Sequence, residues 1–351
     1  MKISVNKVNL EDQEVHEITL MNKHGMEVSF LTLGGIITKI LVPDIEGNFE
    51  NVVLSHADYE DYRTNKGYFG AIIGRTSGRI KNAQFELNGT KYSLAQNYGE
   101  NHGHGGLWGF SGRIFQFECS TLDDNASVKL KYVSSHLEEG YPGEVLVEVV
   151  YSLNDQNEFG INYGAVPTAD TLINLTNHTY FNLSGSFEES ILYHELMIKS
   201  EKFAEIDDTS APTGKLLEVD GTPFDFRYMR EIGEEIKDGH PQLLIGNGYD
   251  HPFLLEREAS PKVRLAHRFS GRVLEIESTA ECVVVYTQNY TDNQRIKGGD
   301  VLENRRSVAL EFQNLPIGKN EVNKENSIIR GGERYSANTV YKFKVEQMNI
   351  Q

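Results

Sequence analysis

Two side chains of this sequence have the type and setting to move a proton near neutrality, a histidine and a glutamate, each inside a strand-like run. The histidine is His178 in NLTNHTYFNL, residues 174–183. Read with a period of two, one face carries Asn174, Thr176, His178, Tyr180 and Asn182; the other carries Ile173, Leu175, Phe181 and Leu183, interrupted by Asn177 and Thr179. One side is thereby expected to pack on a core while the other lines a polar surface. Histidine is the side chain whose ordinary pKa, about 6.5, best suits proton transfer at this pH. The glutamate is Glu311 in SVALEFQNLP, residues 307–316, where Val308, Leu310 and Phe312 alternate with Ser307, Ala309, Glu311 and Gln313. A carboxylate on a strand with an apolar reverse face is fixed in direction, as a general base must be. The same pattern is more often an exposed strand glutamate, since glutamates are rarely buried.

Other candidates lie on glycine-punctuated segments. Asp250 stands in GNGYDHPF (246–253), a context equally suited to an Asx turn. His102 and His104 lie in NHGHGG (101–106), where missing side chains let a ligand approach the backbone. Arg75 and Arg79 in GAIIGRTSGRI (70–80) are placed to fork onto hydroxyls or carboxylates, or to end a strand in solvent. Two histidines two apart invite a metal reading, but Gly105-Gly106-Leu107-Trp108-Gly109 follows with no carboxylate, and no H-E-x-x-H or paired-cysteine spacing exists. We therefore expect no metal. Dinucleotide and phosphate-loop fingerprints and G-x-S-x-G are also missing.

The elements that must position these groups are short β-like runs: 27–33, 36–42, 68–74, 128–133, 144–153, 193–199, 282–290 and 340–348. Gly, Asn or Asp clusters separate most of them, at 44–48, 88–89, 154–157 and 246–248. Helical signals are few. YMREIGEEIKDG (228–239) places Met229, Ile232 and Ile236 at i, i+3 and i+7, and 58–63 is a shorter candidate. This balance predicts a mainly β, antiparallel protein with few short helices, and argues against alternating α/β folds. The 351 residues exceed the usual length of one domain, yet no linker, repeat or low-complexity tract divides them, so a single domain over 1–351 is expected. A formal charge of −17 disfavours nucleic acid and anionic membrane surfaces as partners. No apolar run is long enough for a signal peptide or a membrane span. Cys119 and Cys282 stand far apart and are expected to be reduced, buried thiols of a cytoplasmic protein.

Taken in order, YFGAIIGR with GRI at 78–80, HGG at 104–106, EGYPGE at 139–144, NLTNHTYFNL, GYDHPF and LEFQN at 310–314 resemble the aldose 1-epimerase (galactose mutarotase) family along nearly the whole chain. The resemblance implies a large antiparallel β-supersandwich with a sugar groove on one face. It implies Glu311 as catalytic base, His178 as catalytic acid and His104 as a second active-site histidine, with Arg79, Asp250 and Tyr180 contacting the sugar. His102 and Arg75 do not match family positions. The implied reaction is interconversion of the α and β anomers of glucose, galactose or maltose by ring opening and closure, with no cofactor, in a monomer or homodimer. A glycoside hydrolase or lyase using Asp250 and Glu311, or a non-catalytic sugar-binding protein, are the alternatives. Glutamate and histidine already carry opposite charges between about 4.3 and 6.5; burial of the glutamate, with a carboxylate near the histidine, is expected to widen that window.

Three departures concern specificity. Gly78 stands where relatives have asparagine, Val284 where they often have glutamine, and Pro316-Ile317-Gly318-Lys319-Asn320 replaces the usual stretch after the glutamate. Loss of two polar contacts is expected to widen the site toward disaccharides or reshape it for another hexose.

Overall fold

The computed structural model describes residues 1–11, 13–298 and 301–347. Its alternating apolar runs form antiparallel ladders in three main sheets. The largest has nine strands, in the order Gln116–Leu122, Asn125–Ser134, Val145–Asn154, Glu158–Pro167, Tyr335–Val345, Arg272–Ser278, Val263–His267, Glu195–Ile198 and Arg230–Glu231. A five-stranded sheet runs in sequence order from Lys2–Leu10 through Gln13–Met21, Glu27–Leu31 and Ile37–Pro43 to Phe49–Asn51. A six-stranded sheet has the order Tyr180–Phe181, Val308–Gln313, Cys282–Tyr286, Asp250–Leu254, Lys202–Ile206 and Pro212–Glu218.

One continuous apolar core joins all three. It takes Val28, Phe30 and Ile40 from the five-stranded sheet, Val147, Val149, Ile161 and Leu274 from the nine-stranded sheet, and Val283, Val285, Leu310 and Phe312 from the six-stranded sheet. Strand pleating puts every second residue on this side. The remaining face of the six-stranded sheet is free for polar chemistry. Local turn chemistry agrees with the pattern. Asn88-Gly89 joins Gln84–Leu87 to Thr90–Ser93 with φ of 51° and 74°, the left-handed pair that a two-residue hairpin needs.

Several expectations are corrected. The periodic segment 228–239 is not a helix: Arg230–Glu231 pairs with Glu195 and Leu196 at a sheet edge. Ile232 and Ile236 are buried from turns that follow. Edge pairing satisfies that backbone while the isoleucines reach the core, so tertiary packing overrides a helical spacing interrupted by Gly233. The candidate at 58–63 forms a 3₁₀ turn, Tyr59–Arg63. The α-helix among the described residues is instead Pro241–Gly246, with Pro241 in its first turn and the His240 side chain accepting from the Gln242 N–H. Cys119 is exposed rather than buried, because its strand is the outer edge of the nine-stranded sheet; Cys282 is buried, and both are free thiols. Run 340–348 ends within Tyr335–Val345, and Met348 lies outside the described residues.

The 174–183 segment also differs from a half-exposed strand. It is broken into Thr176–Asn177, which pairs with Ile72–Ile73, and Tyr180–Phe181, which pairs with Val308 and Ala309. Both faces are buried. Its polar residues are mostly internal staples: Asn174 exchanges hydrogen bonds with the Asn314 backbone at 3.0 and 2.9 Å, and Asn182 donates to the Glu189 and Arg306 carbonyls.

Candidate active site

Register on the six-stranded sheet brings sequence-distant groups onto one face. Tyr180 pairs with Ala309, Ala309 with Tyr286, and Tyr286 with Asp250. One pleat further, Glu311 pairs with Val284 and Val284 with Pro252. Residues two apart on a strand share a face, so Asp250, Tyr180, Tyr286, Val284 and Glu311 all border one cleft of about 450 Å³. Leu310, Val285, Phe312 and Phe253 hold the reverse face in the core.

His178 comes to this cleft from the break between its two short strands. Its backbone N–H donates to Ala71 O at 2.9 Å and its carbonyl accepts from the Gly70 N–H at 3.1 Å. These bonds aim the imidazole at the sheet, with His178 Nε2 3.4 Å from Glu311 Oε1. Both side chains are buried, and Glu311 Oε2 has no protein hydrogen-bond partner.

His104 arrives on the glycine loop. Gly105 has φ of +85°, and a Cβ there would meet the Gly74 carbonyl oxygen at 1.8 Å, so only glycine lets the loop lie on that backbone. The next turn is clasped by Glu139, whose carboxylate accepts from the N–H groups of Leu107, Trp108 and Gly109 at 3.0, 3.0 and 3.3 Å. Glu139 thereby positions the loop that carries His104. We expect Glu139→Ala to lower kcat by roughly 10–100-fold through misplacement of that loop. Glu139→Gln, which keeps one acceptor oxygen, should recover part of the loss. Steady-state kinetics on both variants checks this; a KM effect alone would contradict it.

Arg79 donates to His104 Nε2 at 3.3 Å and lies over the Tyr98 ring at 3.9 Å. A guanidinium only donates, so His104 Nε2 accepts and the neutral ring carries its proton on Nδ1. Burial, followed by Arg79 and His178, holds the His104 pKa well below the usual histidine range.

The electrostatics overturn the expected widening of the window in which both partners are charged. Burial pushes the Glu311 carboxyl up to about 8, with Asp250 adding to the shift and Arg79 opposing it. Burial brings the His178 imidazole down to about 3; a backbone hydrogen bond opposes this and Arg79 reinforces it. Burial also raises Asp250, against Arg79. Desolvation disfavours either ionic form more than mutual attraction favours the ion pair. From about pH 3 to about 8 the pair therefore shares one proton, favoured on Glu311 in these surroundings.

One ligand atom each from His104, His178 and Glu311 lies within 4.8 Å of the others. They do not suit a dication, because the Arg79 guanidinium occupies the His104 Nε2 lone pair and places a positive charge against the cluster.

A family model described as aldose 1-epimerase matches residues 16–342. The chain belongs to the aldose 1-epimerase family. It is 37% identical over 323 residues to galactose mutarotase of Homo sapiens, covering 91% of this chain and 92% of that protein. It is 34% identical over 332 residues to aldose 1-epimerase of Haemophilus influenzae, covering 93% and 95%. The crystal structure of galactose 1-epimerase from Lactobacillus acidophilus NCFM superposes with a TM-score of 0.88 at 28% identity, covering 98% of this chain and 99% of that one. The protein is an isomerase of the aldose epimerase type with the galactose mutarotase fold.

In this epimerase Glu311, His178, His104, Arg79, Asp250 and Tyr180 all line the one cleft. Arg75 does not. Its guanidinium is spent on the carbonyls of Ser134, Ser135 and Pro142 at 3.0, 2.7 and 2.8 Å. His102 is likewise internal, bridging Ala95 O and Tyr141 Oη. Gly78 opens no space: its φ is +68°, and a Cβ there would meet Pro316 Cγ at 2.5 Å, so the proline of the divergent stretch fills the position. Val284 leaves an apolar patch beside Glu311. Sequence reasoning missed Tyr68, Tyr98, Tyr286 and Gln288 as lining residues. Tyr68 packs 4.9 Å from the His104 ring and 6.0 Å from the His178 ring. The available hints were Tyr68 at the start of YFGAIIG, Tyr98 close to NHGHGG, and the spacing of two that links Val284, Tyr286 and Gln288 in the run 282–290.

Proposed function

We propose that the enzyme interconverts the α and β anomers of free aldohexoses such as glucose and galactose, with Glu311 and His178 exchanging the protons. The observation that carries this reading is the contact between Glu311 Oε1 and His178 Nε2 at 3.4 Å, buried in a sugar-sized cleft. Ring opening removes a proton from the C1 hydroxyl and delivers one to O5 as the C1–O5 bond breaks and the C1 carbonyl forms. Both oxygens are bonded to C1, so acid and base must be close neighbours. A C1 hydroxyl donating to the Glu311 carboxyl group stabilises the carboxylate and returns the shared proton to His178. Glu311 then acts as base and His178 as acid. Rotation about C1–C2 exposes the other carbonyl face, and the roles reverse on closure.

Arg79, Asp250 and Tyr180 hold the sugar hydroxyls in this reading, and neutral His104 orients Arg79. No redox change or group transfer occurs, so the chemistry calls for no cofactor. The family match over most of the chain supports one domain. Among the described residues no helix is long and apolar enough to cross a membrane.

The test is polarimetry on freshly dissolved α-glucose and α-galactose and on their β-anomers. Approach to equilibrium should accelerate from both sides, with kcat/KM level from about pH 4 to 7 and falling above about pH 8. The sign follows from the proton count. Above the Glu311 value of about 8 the pair has no proton for O5, and below the His178 value of about 3 it has no free acceptor. No acceleration with any aldohexose would refute the reading.

A further inference from the structure

His251, next in the chain to the cleft-lining Asp250, is a buried titratable group that the proposed chemistry leaves unused. Its setting follows from the strand ladder. The Thr287 N–H donates to Tyr249 O at 3.1 Å, and bonded and non-bonded pairs alternate along an antiparallel ladder. The next pair, Asp250 with Tyr286, is therefore non-bonded, and the Asp250 N–H points away from Cys282–Tyr286. On that other side the pairing with Lys202–Ile206 covers only Phe253 and Leu254. Ile206 has turned away, its N–H and carbonyl taken by the Gln242 side chain at 2.8 and 3.0 Å. Pro252 faces the same gap with a nitrogen that carries no hydrogen. The Asp250 N–H is left pointing into the gap, and His251 Nδ1 accepts it there at 3.0 Å.

A backbone N–H only donates, so Nδ1 accepts and the neutral ring carries its proton on Nε2. That Nε2 is buried with no partner among the described residues, which is a costly arrangement. The ring is wedged edge-on against Phe224 and Phe203, with centroids at 4.8 and 5.9 Å, and a Cβ on Gly246 would meet its Cε1 at 3.1 Å. An apolar ring would suit these neighbours without an orphaned donor; what histidine adds is the acceptor for Asp250. Burial, reinforced by His240, takes the imidazole down to about 3, so the Nδ1 lone pair is kept at neutral pH. The Asp250 carboxylate depends on such support. Among the described residues no hydrogen bond holds it, and burial and the Arg79 charge are what act on it, so its aim is set by its main chain. We propose that His251 is a positioning residue, whose Nδ1 stands in for the absent strand partner of the Asp250 N–H and so fixes the direction in which the Asp250 carboxylate meets the sugar. The inference rests on the reading in which Asp250 holds a sugar hydroxyl.

The experiment sets two variants against each other. His251→Phe fills the space of the ring and removes the acceptor. His251→Asn gives up ring packing but puts Oδ1 where Nδ1 stood. Mutarotation kinetics and thermal melts are measured for both, in the unaltered chain and in an Asp250→Asn background. His251→Phe should lower kcat/KM for glucose by about 10–100-fold, the scale of a misplaced contact, with the melting temperature unchanged or raised. His251→Asn should stay within about 3-fold of the unaltered enzyme because the acceptor is restored, yet melt lower. Activity and stability then rank the two variants in opposite orders, which a merely structural histidine does not produce. In the Asp250→Asn background the phenylalanine substitution should cost less than about 2-fold more, since the two residues act as one unit. Should the phenylalanine variant not fold, His251→Leu, matched to asparagine in size, takes its place in the same comparison. Near-normal kcat/KM without the acceptor, activities that follow the melting temperatures, or an undiminished loss in the Asp250→Asn background would overturn the proposal. Failure of the underlying reading looks different: Asp250→Asn by itself would then leave glucose mutarotation at its normal rate.

Discussion

Glu311→Gln should lower kcat for mutarotation by about 10³-fold or more while sugar binding persists, since one positioned acid or base contributes about 10²–10⁴-fold and in the proposed mechanism this residue serves in both directions. The amide matches the carboxyl in shape, so the cleft keeps its form. A second effect separates this residue from an inert wall of the site. Its folded pKa of about 8 lies above the unfolded value of 4.5. The fold therefore binds more protons than the unfolded chain between those values, and stability falls as pH rises through that window. The stabilising contribution of the neutral carboxyl is fully present below about 4.5 and is lost by about pH 8, at a cost on the order of a few kcal/mol. Glu311→Gln should accordingly raise the melting temperature by a few degrees at pH 8.5 and leave it nearly unchanged at pH 5. Thermal melts at the two pH values, alongside polarimetry, check both halves. Near-normal mutarotation in this variant would remove Glu311 from the mechanism.

His178→Asn is expected to cost kcat about as much, with the opposite signature in stability. The His178 folded value of about 3 lies below its ordinary 6.5. The unfolded chain binds the extra proton there, so stability is complete above about 6.5 and drains away as pH falls toward 3. Removing the imidazole should make the protein more resistant to acid, with no gain at pH 8.5. A urea titration at pH 4.5 and pH 8.5 reads this directly. Acid sensitivity equal to that of the unaltered enzyme would mean that the His178 ring is not held neutral by burial. The pair thus carries opposite stability costs, one alkaline and one acidic, because desolvation works against both charges at once. Such costs are typical where catalytic geometry is kept at the expense of stability.

The sequence by itself determined the β character, most strand positions and the candidate residues. Period-two alternation is a local property, so Val308–Gln313, Val145–Asn154 and Cys282–Tyr286 were legible from their own residues. Motif order along the chain carried the family resemblance and, with it, the residues that line the cleft. The 228–239 segment was misread because a helical spacing of three apolar residues is also met by a turn-rich edge that buries Ile232 and Ile236. Tertiary structure alone decided the rest. Whether Glu311 is a solvated strand residue or a buried base depends on which sheet face is covered, and local pattern is identical in the two cases. The break at His178 and the reversal of the expected charge window both arise from groups far apart in the chain. Hydrogen bonding and desolvation act over a few ångströms of space, and sequence distance does not record them.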